Sequence, residues 1–191
     1  MSLTICHYNV LHDENRLATY IGHSPKRYQY QAKVIFPSLE ADVLSLNKVT
    51  ESHFDFLKDE LDYPYHYHDG QDVAVLSMIP FSTVDAGCGY VINLFYSMKT
   101  NIPFLIVSAH LPGNENKYRE RIQVMSEIWE TIKQSETVSV QKAVRHKNIL
   151  LLGDLNTHLF VEDEILVDKF GYYDIWSVLR PGNPGYTFDP H

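Results

Sequence analysis

Apolar and polar positions alternate along this chain in two different rhythms. Short runs rich in β-branched, aromatic and leucine residues recur at 3–11, 42–46, 72–78, 90–98, 104–111 and 148–155, each bounded by polar or turn-forming residues, and these predict strands. Between them the spacing changes to that of helices. Ser24–Pro25 resembles a cap followed by a first-turn proline and opens a helix over 25–40. Thr50 caps a helix over 51–61, in which Phe54, Leu57 and Leu61 recur at helical intervals. The longest helix is predicted over 115–134, with Asn114 as its cap and an inward stripe of Tyr118, Ile122, Met125, Trp129 and Ile132. Met98–Lys99–Thr100–Asn101 reads as the turn of a hairpin. Strands interleaved with helices define an α/β protein, and the close spacing of strands within 72–111 makes its sheet mixed.

The chain has 191 residues and shows no repeat or linker, which suits one domain over 1–191. Its formal net charge is −8, against a broad nucleic-acid-coating surface but not against a small basic site. The two cysteines, Cys6 and Cys88, are far apart and form no CxxC pair, so neither a zinc knuckle nor a redox motif is supported. The first residues lack the pattern of a signal peptide, and no apolar run approaches the ~20 residues that span a bilayer. These features predict an intracellular protein, cytoplasmic or nuclear, with no membrane span.

The strand ends carry the candidate chemistry. "TICHYNV" carries Asn9, "VLSLNK" ends in Asn47 and Lys48, "LIVSAHL" carries His110, and "ILLLGDLN" carries Asp154 and Asn156. Each run is too apolar for a surface strand, so these polar ends are expected to meet at a common sheet edge, where a cleft forms. An aspartate there suits a hard cation, asparagines suit phosphate oxygens, and a histidine suits proton transfer. For each position alone, a turn or a satisfied structural side chain remains the competing reading. His66, His68 and Asp69 in "YPYHYHDG" form another His-x-His-Asp cluster, but its alternation with Tyr63, Tyr65 and Tyr67 is that of a two-faced strand entering an Asp-Gly turn. "VEDEIL" (161–166) reads as the acidic first turn of a helix.

In order along the chain, "ICHYNV", "ADVLSLNKVT", "DVAVLSMIPF", "LIVSAHLPG", "NILLLGDLNT" and "GYTFDP" resemble the motifs of the endonuclease/exonuclease/phosphatase superfamily, most of all its tyrosyl-DNA-phosphodiesterase-2-like branch. The resemblance implies a DNase I-like, four-layer α/β/β/α sandwich of two mixed sheets, here without the last strand. It implies metal-dependent phosphoester hydrolysis, usually with Mg or Mn. It makes Asn9, His110, Asp154 and Asn156 the catalytic group and Arg121 a cation near the substrate, with Asp154 as the metal ligand.

Two departures change that expectation. The strand position at which the family carries its principal metal-binding glutamate reads Lys48, which has no lone pair to offer a cation, and the nearest acid is Glu51. The family's terminal Asp-His pair is also missing after "GYTFDP", where only His191 remains. The sequence therefore predicts a divergent member with an incomplete metal site. In that reading Lys48 pairs with Asp154, Mg or Mn is not required, and the protein is weakly active or inactive and acts by binding a phosphoester, a nucleic acid or a protein partner. A working Mg-dependent phosphodiesterase or nuclease, and a structural subunit of a larger assembly, are the alternatives.

Overall fold

The computed structural model describes residues 3–10, 25–157 and 165–183. Met1–Asn156 form one compact unit and Thr157–His191 a second. The first unit contains two four-stranded sheets, ordered β1-β2-β4-β3 and β5-β6-β7-β8. The strands are β1 (Ile5–Asn9), β2 (Val43–Asn47), β3 (Tyr65–His68), β4 (Val73–Ser77), β5 (Phe81–Gly87), β6 (Tyr90–Tyr96), β7 (Pro103–His110) and β8 (Ile149–Asp154). Both sheets are mixed. β1 and β2 run parallel, as do β7 and β8, and the remaining neighbours are antiparallel.

Alternation along each strand divides its side chains between two layers. Leu44 and Leu46 of β2 and Ala74 and Leu76 of β4 turn to the helices, where they join Phe36, Phe54 and Leu57. Val43 and Val75, one residue out of phase, turn to the other sheet and pack with Phe95 and Ile106. The inter-sheet layer therefore holds the odd-numbered residues of β1 and β2 and the even-numbered residues of β7 and β8. It is apolar at one end and becomes polar at the other, through Asn9, Asn47, His110 and Asp154.

Helices cover the outer faces of the sandwich. On the first sheet lies α1 (Pro25–Tyr30), which continues through a π turn (Gln31–Ile35) and a further α turn (Phe36–Ser38), followed after β2 by α2 (Glu51–Glu60). Gln31 is buried and its amide donates to the Val10 carbonyl, tying the π turn to the end of β1. Thr50 caps α2 as expected, its hydroxyl accepting from the His53 N–H. On the second sheet lie α3 (Tyr118–Gln134), entered through a 3-10 turn (Glu115–Lys117), and α4 (Val138–Arg145), which packs on β7.

The stripe predicted for α3 is rotated. Its fully buried residues are Arg121, Met125, Ile128 and Ile132, while Tyr118, Ile122 and Trp129 are only half-buried. Asn114 does not cap this helix through its side chain; it sits at φ 72°. The hairpin turn at 98–101 is present, closed by Ser97 N–H to the Ile102 carbonyl and Asn101 N–H to the Ser97 carbonyl. In the second unit α5 (Ile175–Leu179) is capped by Asp174, whose carboxylate accepts from the N–H groups of Trp176 and Ser177. Ser24, residues 161–164, "GYTFDP" and His191 lie outside the described residues. No helix among the described residues is long and apolar enough to cross a membrane.

Gly153 fixes the approach of β8 to β7. Its φ is 151°, and a Cβ at this position would stand 1.7 Å from the Ala109 carbonyl oxygen. Gly153→Ala is therefore expected to destabilise the fold by about 3 kcal/mol, the upper part of the range for overpacking, because backbone rather than a side chain must yield. Urea denaturation checks this, and a loss below ~1 kcal/mol would contradict it.

Candidate functional site

Asp154 ends β8 and is the hub of the polar end of the inter-sheet layer. Its Oδ2 accepts a 2.7 Å hydrogen bond from Asn9 Nδ2 and lies 3.8 Å from Lys48 Nζ. Its Oδ1 accepts from the Asn156 N–H at 3.3 Å, and its own N–H donates to Asn47 Oδ1 at 2.9 Å. Residues separated by as many as 145 positions thus converge on one carboxylate. Lys48 adopts φ 59° and Asn156 φ 48°, left-handed conformations that cost little for asparagine and more for lysine. The Val49 N–H, bonded to the Asp72 carbonyl, holds the chain beyond Lys48. Asn156 also ties its amide to the Leu111 carbonyl at 2.8 Å, which locks the loop after β7 to the loop after β8.

His110 lies directly across from Asp154 in the β7–β8 register. Its Nδ1 is 2.5 Å from Asp72 Oδ2. A carboxylate only accepts, so Nδ1 carries the proton and Nε2 is the imidazole's second functional nitrogen. Two acid–base bridges therefore cross between the sheets at the same end: Lys48–Asp154 from β2 to β8, and Asp72–His110 from β4 to β7. All four side chains are partly exposed, between 18% and 28%.

One layer deeper, His7 of β1 meets Ser45 of β2, with Nδ1 to Oγ 3.2 Å. Burial pushes the His7 imidazole down to about 4 from 6.5, and the nearby His110 pushes the same way, while the Asp154 charge and the Ser45 hydrogen bond oppose them. His7 is accordingly neutral at pH 7.

Arg121 does not open to solvent. It is 1% exposed, and its Nη1 donates to the carbonyls of Pro112 and Asn114 at 3.0 and 2.6 Å. It braces the loop that follows His110. Asn9, Lys48, His110, Asp154 and Asn156 share one site. His66, His68 and Asp69 serve the strand and its turn: the His68 ring bonds to the Val49 carbonyl and stacks on Phe54, and Asp69 Oδ1 accepts from three N–H groups of the turn. Glu51 is exposed at the start of α2. Among the described residues no three His, Cys, Asp or Glu side chains are grouped so as to hold a metal ion.

Sequence reading missed Asp72 and His7. Asp72 looked like the polar start of a strand. His7 lies two residues before Asn9, and that interval alone places both on one face.

Two four-stranded mixed sheets packed face to face between helices, with this polar end, have the fold of the endonuclease/exonuclease/phosphatase proteins. No protein-family model matches the sequence, and no curated protein does. Solved structures do. The chain is similar to D. rerio TDP2 complexed with single strand DNA product, at 15% identity and TM-score 0.62 over 93% of this chain and 70% of that one. It is similar to the human Nocturnin catalytic domain with bound sulfate anion, at 12% identity and TM-score 0.65 over 94% and 74%. It is also similar to an endonuclease/exonuclease/phosphatase family protein from Bacteroides thetaiotaomicron, at 18% identity and TM-score 0.62 over 88% and 69%.

The His7 environment sets an acid limb of stability. Its folded pKa lies below the unfolded value, so the unfolded chain binds more protons between them. The contribution of neutral His7 is complete above pH 6.5 and is lost as pH falls toward 4. At roughly 1.4 kcal/mol per unit this amounts to about 3 kcal/mol. His7→Gln, which keeps a polar partner for Ser45, should flatten the stability profile across this window in denaturation measured at pH 7 and pH 4.5. An unchanged slope would refute the assignment.

Proposed function

We propose that this chain is a divergent endonuclease/exonuclease/phosphatase-fold protein that receives a phosphoester without a divalent metal. The observation that carries this reading is the Lys48 ammonium 3.8 Å from an Asp154 carboxylate that already accepts the Asn9 amide.

Mg and Mn require several oxygen ligands in near-octahedral geometry. Asp154 supplies one carboxylate beside a fixed positive charge, and Asp72 is engaged by His110. The residues present do not fit such an ion. The lysine supplies one positive charge instead of two, enough to offset Asp154 but not enough to polarise a water into a nucleophile.

The geometry suits ligand capture. Lys48 Nζ is within ion-pair range of Asp154 yet beyond hydrogen-bond range, and among the described residues its N–H groups make no hydrogen bond. They stand among partly exposed side chains at the polar end of the inter-sheet layer, where His110 lies across from Asp154. The single strand DNA product held by D. rerio TDP2 and the sulfate held by human Nocturnin are ligands of the chemistry proposed here. In this reading Asn9 and Asn156 orient Asp154, Asp154 holds Lys48, Lys48 and His110 face the phosphoryl oxygens, and Arg121 supports the loop beneath them.

Isothermal titration with MnCl₂ and MgCl₂ should give no binding to the wild-type chain below millimolar concentrations, and measurable binding to Lys48→Glu. In EDTA, a 2′-deoxy dinucleoside phosphate should shift the Lys48 and His110 side-chain NMR signals saturably, and Lys48→Met should weaken that binding at least tenfold, about 1.4 kcal/mol. Tight wild-type Mg²⁺ binding that Asp154→Ala removes would overturn the reading.

A further inference from the structure

The strands that carry Asn9, Asn47, His110 and Asp154 at one end begin at the other end of the sandwich, and that end exposes apolar side chains. Leu3, Tyr65 and Met78 project there from the first sheet, and Tyr96, Met98 and Ile102 from the second. Val138 joins them where α4 begins, next to Ser139, whose hydroxyl lies 2.7 Å from that of Tyr96. Of the exposed large apolar side chains described in this unit, all but Tyr30 and Val34 gather at this end. Met98 and Val138 are 80% and 82% exposed, so nothing in the chain covers them. We propose that a second copy of this chain does, in a two-fold dimer closed through this end.

Charge selects the occupant. The chain carries a formal net charge of −8, yet the second sheet's side of this end is basic. Lys99 is the only charged residue in 96–103, and 137–148 contains Lys142, Arg145 and Lys147 with no acid; all four are exposed. The first sheet's side is acidic. Glu40 and Asp42 precede β2, and Asp59 and Asp62 lie where α2 ends, close to β2 because the Tyr63 hydroxyl donates to the Ala41 carbonyl. Glu60 is already paired with Lys33 at 3.3 Å. A face that is basic on one half and acidic on the other is complementary to itself. About a two-fold axis between the halves, the basic half of each copy meets the acidic half of its partner. An anionic membrane or a nucleic acid would be repelled by the acidic half.

Shape agrees with charge. The exposed turn that carries Met98 lies between two clefts of about 430 and 510 Å³. The first is lined by Ile102, Phe104 and Lys147, the second by Phe81 and Leu94. Each copy therefore offers an apolar projection beside apolar hollows, and a two-fold interface uses each of them twice. Methionine is suited to this, because its unbranched chain adapts to an irregular hollow. Removing a contiguous apolar patch from water supplies the attraction, and the two charged halves supply the register. The polar ends with Asp154 point away from the interface, so dimerisation leaves both of them open.

The test is sedimentation velocity of the full chain, which should show a dimer at about 100 µM. Met98→Asp changes only an exposed turn and should raise the dissociation constant roughly tenfold or more. Lys99→Glu with Lys147→Glu should weaken self-association, and so should Glu40→Lys with Asp62→Lys in a second chain. Mixing the two charge-reversed chains should restore a one-to-one dimer, because each reversed half then meets its opposite. A variant that had merely misfolded could not be rescued in this way. A wild-type chain that stays monomeric overturns the proposal, as does a dimer that Met98→Asp leaves intact. So do charge-reversed chains that remain monomeric when mixed. A monomer that instead sediments with vesicles containing phosphatidylserine, and loses them in Met98→Asp, would give this face to a lipid surface and overturn the dimer.

Discussion

A carboxylate half-buried between two sheets must be given a positive partner, and the arrangement of this molecule's polar end follows from how Asp154 obtains one. Removing such a group from water without compensation costs several kcal/mol. Here the compensation is distributed. An amide from β1, an ammonium from the end of β2 and a backbone N–H from the loop after β8 all point at the same two oxygens. The Asp154 backbone is held as well, by the Asn47 side chain and the Leu111 N–H. These contacts join strands of both sheets, so the charge that demands neutralisation also sets the register of the sandwich at its open end. Gly153, just before it, lets β8 come close enough to β7 for His110 and Asp154 to stand side by side.

The apolar layers were legible because their signals are periodic. Val43, Leu44 and Leu46, or Ile106, Val107 and Leu111, announce buried strands by composition, and the alternation of β2 fixes which residues turn to the helices. What composition hides is anything that packs without being apolar. β5 is an edge strand reading FSTVDAG, with a register shift between Thr83 and Asp85, so its pairing with β6 has no hydrophobic signature. α4 is short, and its buried face is only Val140 and Ala143. In α3 the inward stripe was misplaced because Arg121 occupies a core position, its charge taken up by carbonyls of the preceding loop. Apolar periodicity cannot register a buried guanidinium.

The same distinction explains the site. Asn9, Lys48, His110, Asp154 and Asn156 were visible because each interrupts an apolar run at its end. Asp72 interrupts nothing, since it begins a run, and its partner His110 is 38 residues away. A hydrogen bond between residues so far apart is a property of how β4 of one sheet faces β7 of the other, which no local pattern encodes. His7 was hidden differently. It sits inside a strand, where a histidine reads as an ordinary core residue, and only its phase with Asn9 connects it to the cleft.

Lys48, where the sequence resemblance implies an acid, changes more than a ligand count. A divalent ion binds by dehydration and leaves with chelators, whereas an ammonium on a side chain is permanent and carries one charge. Its effect on Asp154 is therefore built into the fold, and the carboxylate has a positive partner that comes from the chain itself. That permanence also limits what the cleft can do. In the proposed metal-free reading the site has no Lewis acid, and any reaction there must take its proton acceptor from the protein. The imidazole of His110, across from Asp154 in the register of the sheet, is held in one tautomer by Asp72. The left-handed backbone of Lys48 fits the same account. The left-handed turn at the end of this buried strand sets the Lys48 ammonium 3.8 Å from the Asp154 carboxylate.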